Sequence, residues 1–306
     1  MGTSYSPSDK VAVAFEALVD GECQRREFDR GGRALRWLEA GAGPTVVFEA
    51  GAMSPAAGFA AVFQALAPDY RVIVYDRAGY GASDPAPLSL DLQLGDLLAV
   101  LETVGPCVVV GHSWGGLLAQ LATWARPGLV SGLVLLDPSH EILWSELLTG
   151  DGRAEVGRHP SRTASASEDP RSADVLKFGR ELATDVARSV GGDERLQGLL
   201  VEACRSYLET DEQLFTYLDE FPMILDHVDD LAARRTHGVW PELPVVVLTA
   251  TKGRPADSTE QVTAVLDELV ATVNGRHTVV PDSGHHIHLD RPDLVVRAVR
   301  DVAPGA

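Results

Sequence analysis

The stretch Cys107-Val-Val-Val-Gly111-His112-Ser113-Trp114-Gly115-Gly116 reads as a buried strand running into a glycine-flanked serine and out into a helix. Its β-branched run suits a strand covered on both faces. A serine between Gly111 and Gly115 implies a sharp turn, because only small neighbours tolerate the strained backbone that such a reversal needs. The hydroxyl then stands clear of the fold, where a carbonyl can approach it. The helix that follows aims unpaired N–H groups and a positive dipole end at the same point. G-x-S-x-G alone is common by chance; its place between a strand and a helix gives it weight.

Outward from this turn, β-branched runs alternate with amphipathic stretches, the pattern of a mostly parallel sheet with helices on both faces. Strands are expected at Thr45 to Phe48, Arg71 to Tyr75, Cys107 to Val110, Leu133 to Leu136, Pro244 to Leu248 and Thr278 to Val280. Helices are expected near Pro55 to Leu66, Leu88 to Val104, after Ser113 as far as Pro127, Ser258 to Val273, and after Pro292. Between about Pro138 and Gly238 the alternation stops. Only helical stretches occur there, with a loop rich in Gly, Ser, Arg and Pro from about Gly150 to Ser172. This divides the chain into an α/β core (1–137 and 239–306) and a helical cap inserted at 138–238.

Composition narrows the function classes. With 45% hydrophobic and 23% charged residues, the 306-residue chain is of ordinary globular make-up, but its net charge is −18. Nucleic acid and anionic membrane are therefore poor partners, since both call for clustered Lys and Arg. The insertion from Glu141 to Arg235 holds 20 Asp and Glu against 11 Lys and Arg, half of the chain's net charge. Cys23, Cys107 and Cys204 cannot pair completely and lack metal-ligand spacing. With no basic-then-apolar leader at the N-terminus, a reduced, cytoplasmic setting is expected. No apolar run reaches the ~20 residues of a membrane span.

The sequence resembles the α/β-hydrolase superfamily. The elbow carries the resemblance, together with the turn Asp76-Arg-Ala-Gly-Tyr-Gly-Ala-Ser-Asp84, the block Ser131-Gly-Leu-Val-Leu-Leu-Asp-Pro138 and Ser283-Gly-His-His-Ile-His-Leu-Asp-Arg-Pro292. It implies the α/β-hydrolase fold, with Ser113 as nucleophile. The base it implies is His285, because that segment is similar to the family's S-G-H-x-x-x-x-E-x-P with Asp290 in place of Glu. His286 and His288 read as packing residues of the same loop, and His277 as preceding a strand. Two backbone donors must face the developing oxyanion. The resemblance gives one as the N–H of Trp114. It places the other after the Thr45–Phe48 strand, where relatives read His-Gly-x and this chain reads Glu49-Ala-Gly-Ala-Met53. Gly51 is kept, the histidine is lost, and the donor is assigned to Ala52 with Met53 beside it.

Two carboxylates compete to complete a triad. Most of the superfamily places the acid after the seventh strand, where Asp257 is available without the usual G-x-x-D. A minority places it at the end of the sixth, where Asp137 stands 24 residues beyond Ser113. Asp137 is preferred and Asp257 is the alternative. Met53, Trp114, His140 and Trp144 are expected at the substrate pocket. Phe215, Tyr217, Phe221, Met223 and Ile224 read as cap core. A serine nucleophile excludes the aspartate-based epoxide and halide chemistry of some relatives and leaves acyl transfer to water. The expectation is hydrolysis of an ester or lactone of a small molecule, without metal or organic cofactor. A proline-iminopeptidase-like enzyme and a carbon–carbon bond hydrolase share the mechanism, and a binder with no active serine stands outside it. Oligomeric state leaves no mark on the sequence.

Overall fold

The computed structural model describes residues 7–19, 23–147 and 165–303. The expected strands form β3 (Thr45–Glu49), β4 (Arg71–Asp76), β5 (Cys107–His112), β6 (Val130–Leu136), β7 (Val245–Ala250) and β8 (Arg276–Val280). They pair in parallel, each valine-rich run packing apolar groups on both faces of the sheet. Two further strands precede them, β1 (Gln24–Asp29) and β2 (Ala34–Ala40). These pair antiparallel and extend the sheet to the order β1-β2-β4-β3-β5-β6-β7-β8. Sequence reasoning did not find this hairpin or the helix before it, α1 (Pro7–Leu18). β1 reads Gln-Arg-Arg-Glu-Phe-Asp because it is an exposed edge, and charge on an edge strand blocks pairing with other chains.

Alternate strand residues supply two cores. Val46, Phe48, Val72 and Val110 meet α1, α2 (Ala60–Leu66) and α11 (Pro292–Val302) on one face. Val47, Ile73, Val109 and Leu135 meet α3 (Leu90–Val104), α4 (Trp114–Ala125) and α10 (Ala256–Val273) on the other. The chain order reverses at β3, which lies between β4 and β5. Such a switch point leaves a crevice beyond the carboxyl ends of the two strands. Here it falls between the loop at Ala50–Met53 and the turn at Ser113.

All described elements between β6 and β7 are helical: α5 (Glu141–Leu147), α6 (Ser172–Val190), α7 (Glu194–Arg205), α8 (Asp211–Asp226) and α9 (Val228–His237), with short 3-10 turns. The polar stretch expected from Gly150 lies outside the described residues as far as 164. α6 and α7 pair, and α7 packs on α1. α8 starts at a capping box between Thr210 and Gln213 and carries Pro222 in its interior. Proline has no N–H for the carbonyl four residues back. Arg171 makes good the loss by donating to the Leu218 oxygen at 2.9 Å.

Candidate active site

Ser113 has φ +50° and ψ −117°, a left-handed conformation that costs a non-glycine residue energy. Its surroundings hold it there. Its N–H donates to Leu136 O at 3.0 Å, and its carbonyl accepts from Gly116 at 3.0 Å and Ser139 at 2.9 Å. The flanking glycines are needed for closeness as well as for bending. A Cβ on Gly111 would stand 2.6 Å from Gly115 O, one on Gly115 2.3 Å from Glu49 O, and one on Gly116 2.8 Å from the Pro138 Cβ. The Ser113 hydroxyl faces Ser139 Oγ at 3.4 Å, a neighbour that sequence reasoning missed.

Asp137 directly follows β6 and is buried. Its Oδ2 accepts from His285 Nδ1 at 2.6 Å and from Arg254 at 2.7 Å, and its Oδ1 from the Ala250 N–H at 3.2 Å. Since the carboxylate accepts, Nδ1 carries the hydrogen, and in the neutral ring that leaves the lone pair on Nε2. Asp257 lies exposed in the first turn of α10. The His285 loop is braced from below: Gly284 N–H donates to Asp290 Oδ2 at 2.7 Å, and His112 Nε2 donates to the His285 carbonyl at 3.0 Å. His288 stacks on Phe59, and His112, His285 and His286 lie ring against ring. Burial pushes His286 down to about 4 and holds His112 and His288 well below the usual imidazole range, so all three are neutral. His277 is held apart by Thr249 and Asp267, each at 2.7 Å.

Ser113, Asp137 and His285 line one cavity of about 610 Å3, with Ala52, Trp114, His140 and Trp144 also on its wall. Phe221 and Ile224 of α8 add apolar surface, whereas Tyr217 and Met223 are buried in the core. Met53 was expected at the pocket and does not line it. Its backbone is left-handed (φ +52°), its N–H is tied to Glu220 Oε2 at 2.7 Å, and its side chain packs into the core on the α1 face of the sheet. That bond also removes Met53 as an oxyanion donor. The N–H groups of Ala52 and Trp114 have no acceptor among the described residues. His140 is buried, and its Nδ1 accepts from the Ile142 N–H at 3.3 Å. Burial, reinforced by Arg235, pushes its pKa down to about 4, so it stands in the cavity wall as a neutral ring.

The Ala50–Met53 loop rests on a buried ionic network. Arg77 donates to Glu49 at 3.0 Å, Glu220 at 2.9 Å, Ala50 O at 2.6 Å and Gly51 O at 2.8 Å. Burial pushes Glu49 up to about 7. Burial also opposes the charge on Arg77, but Glu220 and Glu49 outweigh it and hold the guanidinium well above its ordinary range. Sequence reasoning missed Glu220, which is one of the insertion's 20 acids and carries no local mark. It missed Arg254 as well. Arg77 was visible only as part of the turn after β4. Among the described residues there is no cluster of His, Cys, Asp and Glu able to hold a metal ion, and no helix long and apolar enough to cross a membrane.

An eight-stranded, mostly parallel sheet with a strained serine on the turn after its fifth strand defines an α/β hydrolase. The chain belongs to the Alpha/beta hydrolase family, which matches residues 46–298. Among curated relatives it is 31% identical over 242 residues to epoxide hydrolase 4 of Mus musculus, covering 74% of this chain and 64% of that protein. It is 24% identical over 230 residues to an sn-1-specific diacylglycerol lipase of Danio rerio, covering 72% and 66%. The chain thus spans less than two thirds of the length of the epoxide hydrolase. Among solved structures it matches Cfl2 of Burkholderia cenocepacia with a TM-score of 0.66 at 19% identity, over 92% of this chain and 95% of the other. At that identity the likeness is one of fold.

Proposed function

We propose that this hydrolase cleaves a carboxylic ester or lactone of a small organic molecule through an acyl-enzyme on Ser113. One observation carries the reading: a serine held in a strained turn shares a cavity with a His285–Asp137 pair whose free imidazole nitrogen is available as base. Ser113 Oγ attacks the carbonyl carbon as His285 Nε2 takes its proton, and the oxyanion is held by the N–H groups of Ala52 and Trp114. The imidazolium, stabilised by Asp137, returns the proton to the leaving alkoxide. Water then attacks the acyl-enzyme with His285 again as base, releasing the acid. No step calls for a metal or cofactor.

In this reading residues 1–137 and 239–306 are the catalytic core and 138–238 the cap, the substrate is the only partner, and the reduced cysteines suit a cytoplasmic setting. The likeness to an epoxide hydrolase does not extend to an alkyl-enzyme on aspartate, because the elbow residue is serine. A proline-iminopeptidase-like activity would need cap carboxylates facing the substrate amine. Among the described residues the cavity wall holds no carboxylate besides Asp137.

A fluorophosphonate probe and a panel of p-nitrophenyl esters of increasing chain length test the proposal. Wild type should label and turn over at least the short esters, and Ser113→Ala should do neither. A wild type that neither labels nor hydrolyses any ester overturns it.

A further inference from the structure

Glu220 is fully buried although it comes from α8, in the middle of the insertion. One carboxylate accepts four hydrogen bonds. Oε1 takes Arg77 at 2.9 Å and the Gln93 amide at 2.7 Å; Oε2 takes the Met53 N–H at 2.7 Å and the Tyr80 hydroxyl. Four donors fill the lone-pair capacity of a carboxylate. Three of these bonds lead toward the proposed oxyanion donors. Arg77, oriented by Glu220, clamps the carbonyls of Ala50 and Gly51, while Glu220 itself clamps the N–H of Met53. Ala52 is the residue left between the clamps. Gln93, held by Glu220 at one end, accepts from the Trp114 indole at 2.6 Å with the other.

We propose that Glu220 is a positioning residue that sets both backbone donors of the oxyanion hole, so that α8 belongs to the catalytic scaffold as well as to the pocket wall. The proposal rests on the serine-hydrolase reading above. Its physical basis is strain: Met53 holds a left-handed backbone that a long side chain adopts at a cost, and such conformations persist only where neighbours over-determine them. A charged acceptor on the Met53 N–H is that determinant, and charge-assisted bonds are the strong ones. The adjoining residues put α8 in the same site. Phe221 faces the cavity, and the backbone gap left by Pro222 is closed by Arg171 at Leu218. Movement of this turn of α8 would reach pocket and oxyanion loop together.

Glu220→Gln keeps the size but turns one oxygen into a donor, so either Met53 and Tyr80 or Arg77 and Gln93 lose an acceptor. Gln93→Met removes the link to Trp114 and one of the four donors to Glu220, but leaves Glu220 bonded to Arg77 and to the Met53 N–H. In Glu220→Gln, fluorophosphonate labelling and kcat on a p-nitrophenyl ester should fall ten- to a hundredfold with KM within about threefold, as expected for loss of oxyanion alignment. Gln93→Met should lose several-fold in kcat. Amide hydrogen exchange of segment 50–53 should speed up at least tenfold in Glu220→Gln and stay unchanged in Gln93→Met. A purely structural role predicts lower melting temperatures with labelling of the folded protein unchanged, and that result overturns the proposal. Exchange needs no catalysis, so unchanged exchange at 50–53 in Glu220→Gln overturns it whether or not wild type labels. Absence of label on wild type counts separately, against the serine reading.

Discussion

The two sides of Ser113 are built by different means. On the donor side, Glu49, Arg77 and Glu220 are sealed from solvent, their side chains 0–3% exposed, and the loop positions on either side of Ala52 are tied to a charge. On the base side, the His285 side chain is 47% exposed and Arg254 24%, and their loops are held by a few local bonds from Asp137, Asp290 and His112. In the proposed mechanism the donors keep one geometry while charge develops, so rigidity there would lower the barrier directly. The proposed base would take a proton and give it back, and solvent access on that side would also admit the second substrate, water. Disturbing the donor side should therefore cost stability and rate together, and disturbing the base side should cost mainly rate.

The largest effect should come from the base side. Asp137→Asn leaves the shape but no longer fixes the imidazole tautomer, so kcat should fall on the order of 10³–10⁴-fold with little change in melting temperature. Asp257→Asn should stay within about twofold, because that residue is an exposed helix-end carboxylate. If only Asp257→Asn loses activity, the assignment of the acid is wrong. Next in size is Gly51→Ala on the donor side. The added Cβ would stand 2.6 Å from His112 Nδ1 and 3.3 Å from Ser113 Cβ. Because His112 is pinned to the His285 carbonyl, the loop has to move instead, and kcat should fall on the order of 10²-fold. Unfolding free energy should drop by ~1–3 kcal/mol, as for an overpacked site. A rate loss without a stability loss would break the contrast between the two sides.

The contrast also separates what the sequence displays from what it conceals. The base side is legible because its parts are local: Ser283-Gly-His285 follows a strand, and Asp137 directly follows another. Even Asp290 in place of a glutamate is readable, since its carboxylate reaches back to the Gly284 N–H. The donor side is assembled from positions 49, 77, 80, 93 and 220, and long-range ion pairs leave no period or spacing in one sequence. The lost histidine before Gly51 was visible, but its consequence was not. The glutamate at position 49 faces Arg77 across the β3–β4 layer and so belongs to the network that holds the loop. Met53 misled for the same reason: it flanks the donor in sequence, and only the Glu220 bond shows which way its backbone turns. The hairpin before Thr45 escaped because a charged edge strand reads as loop.

A smaller effect probes the base side from its rim. Arg254 shares Asp137 Oδ2 with His285, and Asp137 keeps its bonds to His285 and Ala250 when the guanidinium is removed. Arg254→Gln should therefore lower kcat three- to tenfold, far less than Asp137→Asn. It should change stability by under about 1 kcal/mol, as a partly exposed pair does. A loss as large as that of Asp137→Asn would make Arg254 part of the base machinery. Stability measured by chemical denaturation alongside steady-state kinetics decides between the two.

The smallest effect is one of pH. His288 is buried against Phe59, and burial keeps its folded-state pKa well below the ordinary 6.5. A depressed base binds a proton more readily in the unfolded chain. Its contribution to stability is therefore complete above pH 6.5 and is lost as pH falls towards the folded value. Each pH unit in that window is worth about 1.4 kcal/mol for one group. Glu49, raised to about 7, and Asp76, raised to about 6, act in the opposite sense over the same range, since burial favours their protonated forms in the folded state. A comparison of two proteins that both contain these acids cancels them. His288→Phe keeps the stack on Phe59 without a titrating ring, so it should lose less stability than wild type between pH 7 and pH 5. Denaturant unfolding at the two pH values measures this, and parallel losses would mean that the ring beneath the base loop is protonated in the folded protein as readily as in the unfolded chain.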